Sequence, residues 1–272
     1  MQAFLGIGFL LLLAWLISER RAEVRWQAVG LGLLLQLALA VLLLRVPVVS
    51  ESLFLLNGVV EAVESATRVG SEFVFGYVAG GNAPFEITAE GAMYVFAFRV
   101  LPQILVFSVL VALLWYWGVL RWLVQAFGAV LQRVLGLSGA LGMAAASSVF
   151  LGMVETPLVI RAYLAGLSRS ELFTLMTCGM STVAGSIMVL YASVLSQALP
   201  GTLGHILAAS VINVIGAVVY SRIMVPPDEA VSSGDQITAG LEYTSNMDAI
   251  TRGTADGLRL AVNVGAMVIV LV

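Results

Sequence analysis

Apolar residues run in long blocks along this chain, and polar ones are gathered into short intervals between them. Crossing about 30 Å of hydrocarbon takes roughly 20 helical residues, a few fewer where flanking side chains snorkel. Five blocks reach that length: 2–18, 27–46, 94–117, 171–198 and 204–224. A sixth span begins near Leu258 and is still apolar at Val272. A chain end inside lipid leaves backbone groups and a carboxylate unsatisfied, so the expectation for 258–272 is a span that is truncated.

Two further blocks are amphipathic at helical spacing. In 52–69, Leu53, Leu56, Val60 and Val63 share a face and Glu64 precedes Arg68 by four. In 118–135, Val119, Trp122, Phe127 and Val130 alternate with Arg121, Gln125, Gln132 and Arg133. The first predicts an interfacial helix and the second an interfacial or tilted one. Trp115, Tyr116, Trp117 and Trp122 read as headgroup-level anchors. The stretch 225–257, opened by Pro226-Pro227, predicts a hydrophilic cytoplasmic loop.

The interval 136–169 breaks the pattern. It is apolar overall but interrupted by Gly152 and by Glu155-Thr156-Pro157. The arms Ser138–Leu151 and Pro157–Leu167 are each too short to cross, at 1.5 Å of rise per residue. Two short helices meeting at a Gly/Pro break predict a re-entrant hairpin with Glu155 at its tip. The alternative is one kinked span whose Glu155 serves structure. Thr156 and Pro157 suit the N-cap and first position of the second arm, whose free N–H groups would face the tip. Span 171–198 repeats the theme, since Thr177, Gly179, Ser181, Thr182, Gly185 and Ser186 predict either close helix packing or local unwinding.

Composition decides the class. The chain is 60% hydrophobic and 11% charged with a mean hydropathy of +1.03, where soluble domains are about 45–50% apolar and about 25% charged. A soluble enzyme is excluded, and an all-α integral membrane protein is expected. Every one of the 13 positive charges is arginine and the net charge is −3, so there is no basic stripe for nucleic acid. Arg20, Arg21, Arg25, Arg121, Arg133, Arg222, Arg252 and Arg259 mark the cytoplasmic side of an inner membrane and place the N-terminus outside. The acid-rich stretch 47–92 then lies outside as well. Cys178 is the sole cysteine and reads as a packing residue. No nucleophile–base set or phosphate loop accompanies Glu155, so no enzyme is expected. Arg99 needs a partner or a route to snorkel and reads as structural, paired with an acid, and Arg161 is placed to pair with Glu171 or to reach the cytoplasmic interface.

Four stretches together resemble the concentrative nucleoside transporter family: Gly70-Ser71-Glu72-Phe73-Val74-Phe75-Gly76, Phe96-Ala97-Phe98-Arg99-Val100-Leu101-Pro102, Gly152-Met153-Val154-Glu155-Thr156-Pro157-Leu158 and Leu260-Ala261-Val262-Asn263-Val264-Gly265-Ala266-Met267. The resemblance implies a homotrimer, each protomer having a scaffold and a transport domain that carries nucleosides by an elevator-like motion. It further implies that this chain holds the first half of an inverted-repeat transport domain. Scaffold spans are expected over 1–135, with hairpin 136–169, broken helix 171–198 and span 204–224 forming that half.

By the same resemblance Gly152, Met153, Val154 and Glu155 at the tip, with Ile187 opposite, border the nucleobase. The family commonly has Gln then Thr or Ser where this chain has Met153 and Val154, so two hydrogen-bonding side chains are replaced. A possible sodium site maps to Ser148, Leu151, Thr182 and Val183, with Ser148 standing where an Asn is usual. The shorter hydroxyl and the buried carboxylate of Glu155 favour proton over sodium coupling. No cofactor is implied beyond the coupling ion. The competing reading is a gate-type membrane protein with a regulatory or assembly role and no nucleoside flux.

Overall fold

The computed structural model describes residues 2–45, 62–86, 94–153, 156–195, 202–227 and 242–271, and every regular element among them is helical. The segment 52–61, half of the first amphipathic block, lies outside the described residues. Four described helical stretches are long and apolar enough to cross a membrane: Trp26–Leu43, Phe96–Tyr116, Thr202–Met224 and Asn246–Leu271. The chain divides into two compact units that interleave along the sequence.

The first unit takes Met1–Val49, Arg121–Ala184 and Leu207–Leu241. It contains α1 (Gln2–Leu16), α2 (Trp26–Arg45), α6 (Val119–Leu135) apart from its first two residues, the hairpin helices α7 (Gly139–Ser147) and α8 (Thr156–Val159), α9 (Arg169–Ser181) and most of α11 (Thr202–Met224). Ala14 of α1, Val29 of α2 and Val219 and Ile223 of α11 share one buried cluster with Val24. Gly32 of α2 leaves room for the Val219 side chain of α11, since a Cβ there would run into Val219 Cγ2. The turn after α1 is tied down twice: Arg20 donates to Pro226 O at 2.7 Å, and Glu19 pairs with Arg169 at 2.6 Å. That hydrogen bond and charge hold the Arg169 guanidinium above its ordinary pKa.

The second unit takes Ser50–Leu120, Gly185–Ile206 and Glu242–Val272. Its helices are α3 (62–75), α4 (Phe96–Arg99), α5 (Leu101–Tyr116), α10 (Gly185–Leu195) and α12 (Asn246–Leu271). Ala249, Gly253, Gly257 and Ala261 recur every fourth residue on α12 and are all buried. This small-residue stripe lets α12 lie against α5, where a Cβ on Gly257 would sit 2.8 Å from Leu105 Cα. Trp117 Nε1 donates to Asn246 Oδ1 at 3.0 Å near the start of α12.

Several local expectations are revised. The last helix begins at Asn246 rather than near Leu258. Ser245 Oγ accepts the Asp248 N–H at 3.1 Å, and Asp248 accepts from Thr244 N at 3.0 Å, so a capped start extends the helix into the expected loop. Trp115 is 1% exposed and belongs to the core, whereas Trp117 and Trp122 are exposed as anchors would be. Arg99 has no acidic partner among the described residues; it lies over the Tyr94 ring and against Gly80, whose φ of +113° suits glycine. Arg161 is exposed, and no ion pair joins it to Glu171 among the described residues.

Candidate functional site

The hairpin is rooted by its own N-cap. Ser138 is extended, accepts from Leu141 N at 3.4 Å, and donates its hydroxyl proton to Glu171. Glu171 also closes the capping box of α9, taking the Ser168 N–H at 2.9 Å while Ser168 Oγ accepts from Glu171 N. One carboxylate therefore joins the amino ends of α7 and α9. The residues Ala140–Ser147 are buried throughout, and Gly142 among them allows backbone contact with α6. A Cβ on Gly128 would lie 3.1 Å from the Gly142 carbonyl oxygen.

Past Ser147 the first arm tightens into a turn, with Phe150 and Leu151 N–H groups both donating to Ser147 O. Ser148 is fully buried and its hydroxyl donates to Ala145 O at 2.8 Å; Leu151 is buried too. Gly152 is half-buried and Met153 is 52% exposed. Val154 and Glu155, the positions on which the sequence reading leans most, lie outside the described residues. The tip is bridged by Thr156 N donating to Gly152 O at 2.9 Å. Helix α8 therefore starts at Thr156, one position earlier than a Thr156 N-cap would give. The Thr156 hydroxyl is buried and has no partner among the described residues. The second arm is four α-helical residues followed by a 3-10 stretch, Arg161–Gly166, not a continuous helix.

The tip rests on α9 through a glycine. A Cβ on Gly179 would fall 3.0 Å from Met153 Cβ and 3.2 Å from Met153 Cα. Three residues on, the helix stops: Thr182 is extended at φ −114°, ψ 161°, and α10 resumes at Gly185. Unwinding, one of the two alternatives left by the sequence, is thus what Thr182–Ala184 does. The hydroxyls of Ser181 and Thr182 both donate to Cys178 O at 3.0 Å. A hydroxyl that donates its proton to a carbonyl keeps its lone pairs, so Ser148 and Thr182 remain able to face a hard cation.

Of the expected site residues, Gly152, Met153, Ser148, Leu151, Thr182 and Val183 belong to the first unit. Ile187 belongs to the second, where it packs against the buried cluster of Val100, Ile104 and Ala261. The Met153–Gly179 contact and the Ser138–Glu171 link were not foreseen. The capping signature Ser168-x-x-Glu171 was legible in the sequence; its bond to Ser138 is long-range and was not.

Residues 5–78 match the family described as Na+ dependent nucleoside transporter N-terminus, residues 97–198 that described as nucleoside recognition, and residues 205–272 the Na+ dependent nucleoside transporter C-terminus. Nucleoside permease NupC of Helicobacter pylori is 34% identical over 267 residues, covering 98% of this chain and 62% of that protein. Putative nucleoside permease NupX of Escherichia coli is 31% identical, covering 100% and 64%. The chain thus spans somewhat under two thirds of the length of these curated relatives. The solved structure of CNTnw in an inward-facing substrate-bound state superposes with a TM-score of 0.86 at 33% identity, covering 98% of this chain and 61% of the other. An outward-facing variant of CNTnw gives the same TM-score, so the likeness reaches the fold and not one transport state. With three family descriptions in register and an all-helical fold shared at this identity, the chain belongs to the concentrative nucleoside transporter family.

Proposed function

We propose that this protein is a secondary active nucleoside importer of an inner membrane, working as a homotrimer by an elevator-like motion with its N-terminus outside. The observation that supports it best is the meeting, inside one compact unit, of a broken hairpin tip at Gly152-Met153 with a helix that unwinds three residues beyond Gly179. Interrupted helices of this kind offer free N–H and C=O groups at membrane depth, where polar solutes and ions need them. Glu155, next to the buried and unpartnered Thr156 hydroxyl, is the anchor for the nucleoside and the proton carrier of a symport cycle. The hydroxyls of Ser148 and Thr182 with the carbonyls of Leu151 and Val183 are where sodium would be held if it is the coupling ion.

The test is nucleoside uptake into proteoliposomes by the protein expressed from its complete coding sequence, under an imposed proton or sodium gradient, beside Glu155→Gln. Uptake driven by the proton gradient alone and abolished by Glu155→Gln is the expected result. Uptake that needs sodium and falls in Ser148→Ala assigns the coupling to the hydroxyl site instead. No flux of any nucleoside under either gradient favours a gate-type protein with an assembly role, a reading to which the non-donating Met153 and Val154 lend support.

Those two side chains also bear on selectivity. A pocket that encloses a base without hydrogen-bonding its edge discriminates far less than one with matched donors and acceptors. Uridine and adenosine are therefore expected to compete with each other for uptake within about tenfold. Strict exclusion of adenosine would contradict the assignment of Met153 and Val154 to the base site.

A further inference from the structure

The first unit has a cavity of about 430 Å³ away from the hairpin tip, walled by the start of α2, the end of α6 and the end of α11. Three arginines line it, Arg25, Arg133 and Arg222, and among the described residues no acidic side chain does. Among the described residues the neighbouring acids are already engaged: Glu19 with Arg169, Glu23 with Arg20 at 2.9 Å, and Glu171 with Ser138 and Ser168. Arg222 donates to the carbonyls of Leu135 and, at 3.0 Å, of Gly136, so it is spent on capping α6 and adds only its charge. Arg25 and Arg133 have no ion pair or side-chain hydrogen bond among the described residues. Gln27 and Ala28, in the first turn of α2, line the same cavity, so the positive end of that helix dipole faces it as well.

Positive charge gathered this way calls for an anion. The rest of the lining narrows the choice, because Ala28, Val29, Leu31, Val218 and Val219 make one wall apolar. Leu31 is 50% exposed and Leu34, one turn further along the membrane-spanning helix α2, is 67% exposed. The apolar wall therefore continues out of the cavity onto the surface that meets lipid tails. A ligand that is anionic at one end and apolar at the other matches both halves; basic pockets between membrane helices take phospholipid headgroups on this principle. We propose that the cavity binds the phosphodiester headgroup of an anionic phospholipid between Arg25 and Arg133, with an acyl chain running along Leu31 and Leu34. The site is separate from the proposed nucleoside site and does not depend on it.

The test is thermal unfolding of the detergent-purified protein, with native mass spectrometry of bound lipid, after adding phosphatidylglycerol, phosphatidylcholine or millimolar inorganic phosphate. Phosphatidylglycerol alone should raise the Tm and be retained. The double variant Arg25→Gln/Arg133→Gln should bind it about twenty-five-fold more weakly, the loss of two surface charges each worth about a factor of five. Arg25→Lys/Arg133→Lys, which keeps the charge, should retain most of the binding, and it guards against a Gln variant that merely misfolds. Equal retention of phosphatidylcholine and phosphatidylglycerol, or undiminished phosphatidylglycerol binding by the Gln variant, overturns the proposal. Stabilisation by inorganic phosphate equal to that by the lipid assigns the site to a free anion and overturns the lipid. A gain of phosphatidylglycerol binding only on Asp228→Asn/Glu229→Gln, with none in the native chain, assigns the arginines to the protein's own carboxylates and likewise overturns it.

Discussion

A methyl group at position 179 would already press on Met153, at 3.0 Å from its Cβ and 3.2 Å from its Cα. Because one of the opposing atoms is backbone, the tip and not just a side chain has to give way. Gly179→Val is therefore expected to cost about 1–3 kcal/mol and to lower the Tm in detergent, with uptake falling alongside. An unchanged Tm would mean that the tip does not rest on α9. At this scale the sequence was informative about residue types and silent about neighbours. Gly152 and Thr156 stood out because Gly and hydroxyl groups interrupt an apolar run, and Thr182 because hydroxyls cluster there. Arg99 lies over an aromatic ring where an acid was expected, and Arg161 is exposed and not paired with Glu171 among the described residues, since an arginine can be settled by a ring or by solvent as readily as by an acid.

Helices were the most legible level where apolar runs were long. The spans containing α2, α5 and α11 follow from length and hydropathy. The start of α12 does not, because Ser245 and Asp248 cap it inside a stretch that hydropathy reads as loop. The stripe Ala249-Gly253-Gly257-Ala261 is in the sequence at a spacing of four, but only the burial on α5 gives it meaning. The second arm of the hairpin is shorter and tighter than its composition suggests, since four α-helical residues from Thr156 give way at Ile160 to a 3-10 stretch that ends at Gly166. Glu171 holds the amino ends of two helices at once, so its removal should be felt in both. In a Ser138→Ala/Glu171→Gln double-mutant cycle, a coupling of about 1–3 kcal/mol is expected from thermal or denaturant unfolding. Strict additivity would show that α7 and α9 are capped independently.

The partition of the chain was the least legible feature, because which segments share a core is decided by contacts far apart in sequence. The first two helices fold with the hairpin and with α11, and α5 folds with α12. Neither unit is a continuous stretch. A fragment ending at Leu120 would keep Val29 without Val219 and Ile223, and Ile104 without Ala261. It is expected to be cut by protease in detergent at rates at least about tenfold above those of the whole chain, since both cores lose a wall. Resistance equal to that of the whole chain would mean that the first 120 residues hold together without those contacts. The arginine cavity is set apart by the kind of charge that lines it. Guanidinium groups stay protonated across the physiological range, and a phosphodiester stays ionised over it. A histidine-lined pocket would loosen or tighten as a proton gradient rose and fell, whereas this one holds its grip at a constant strength. The membrane anchor would thus be electrically indifferent to the very gradient on which the proposed transport runs.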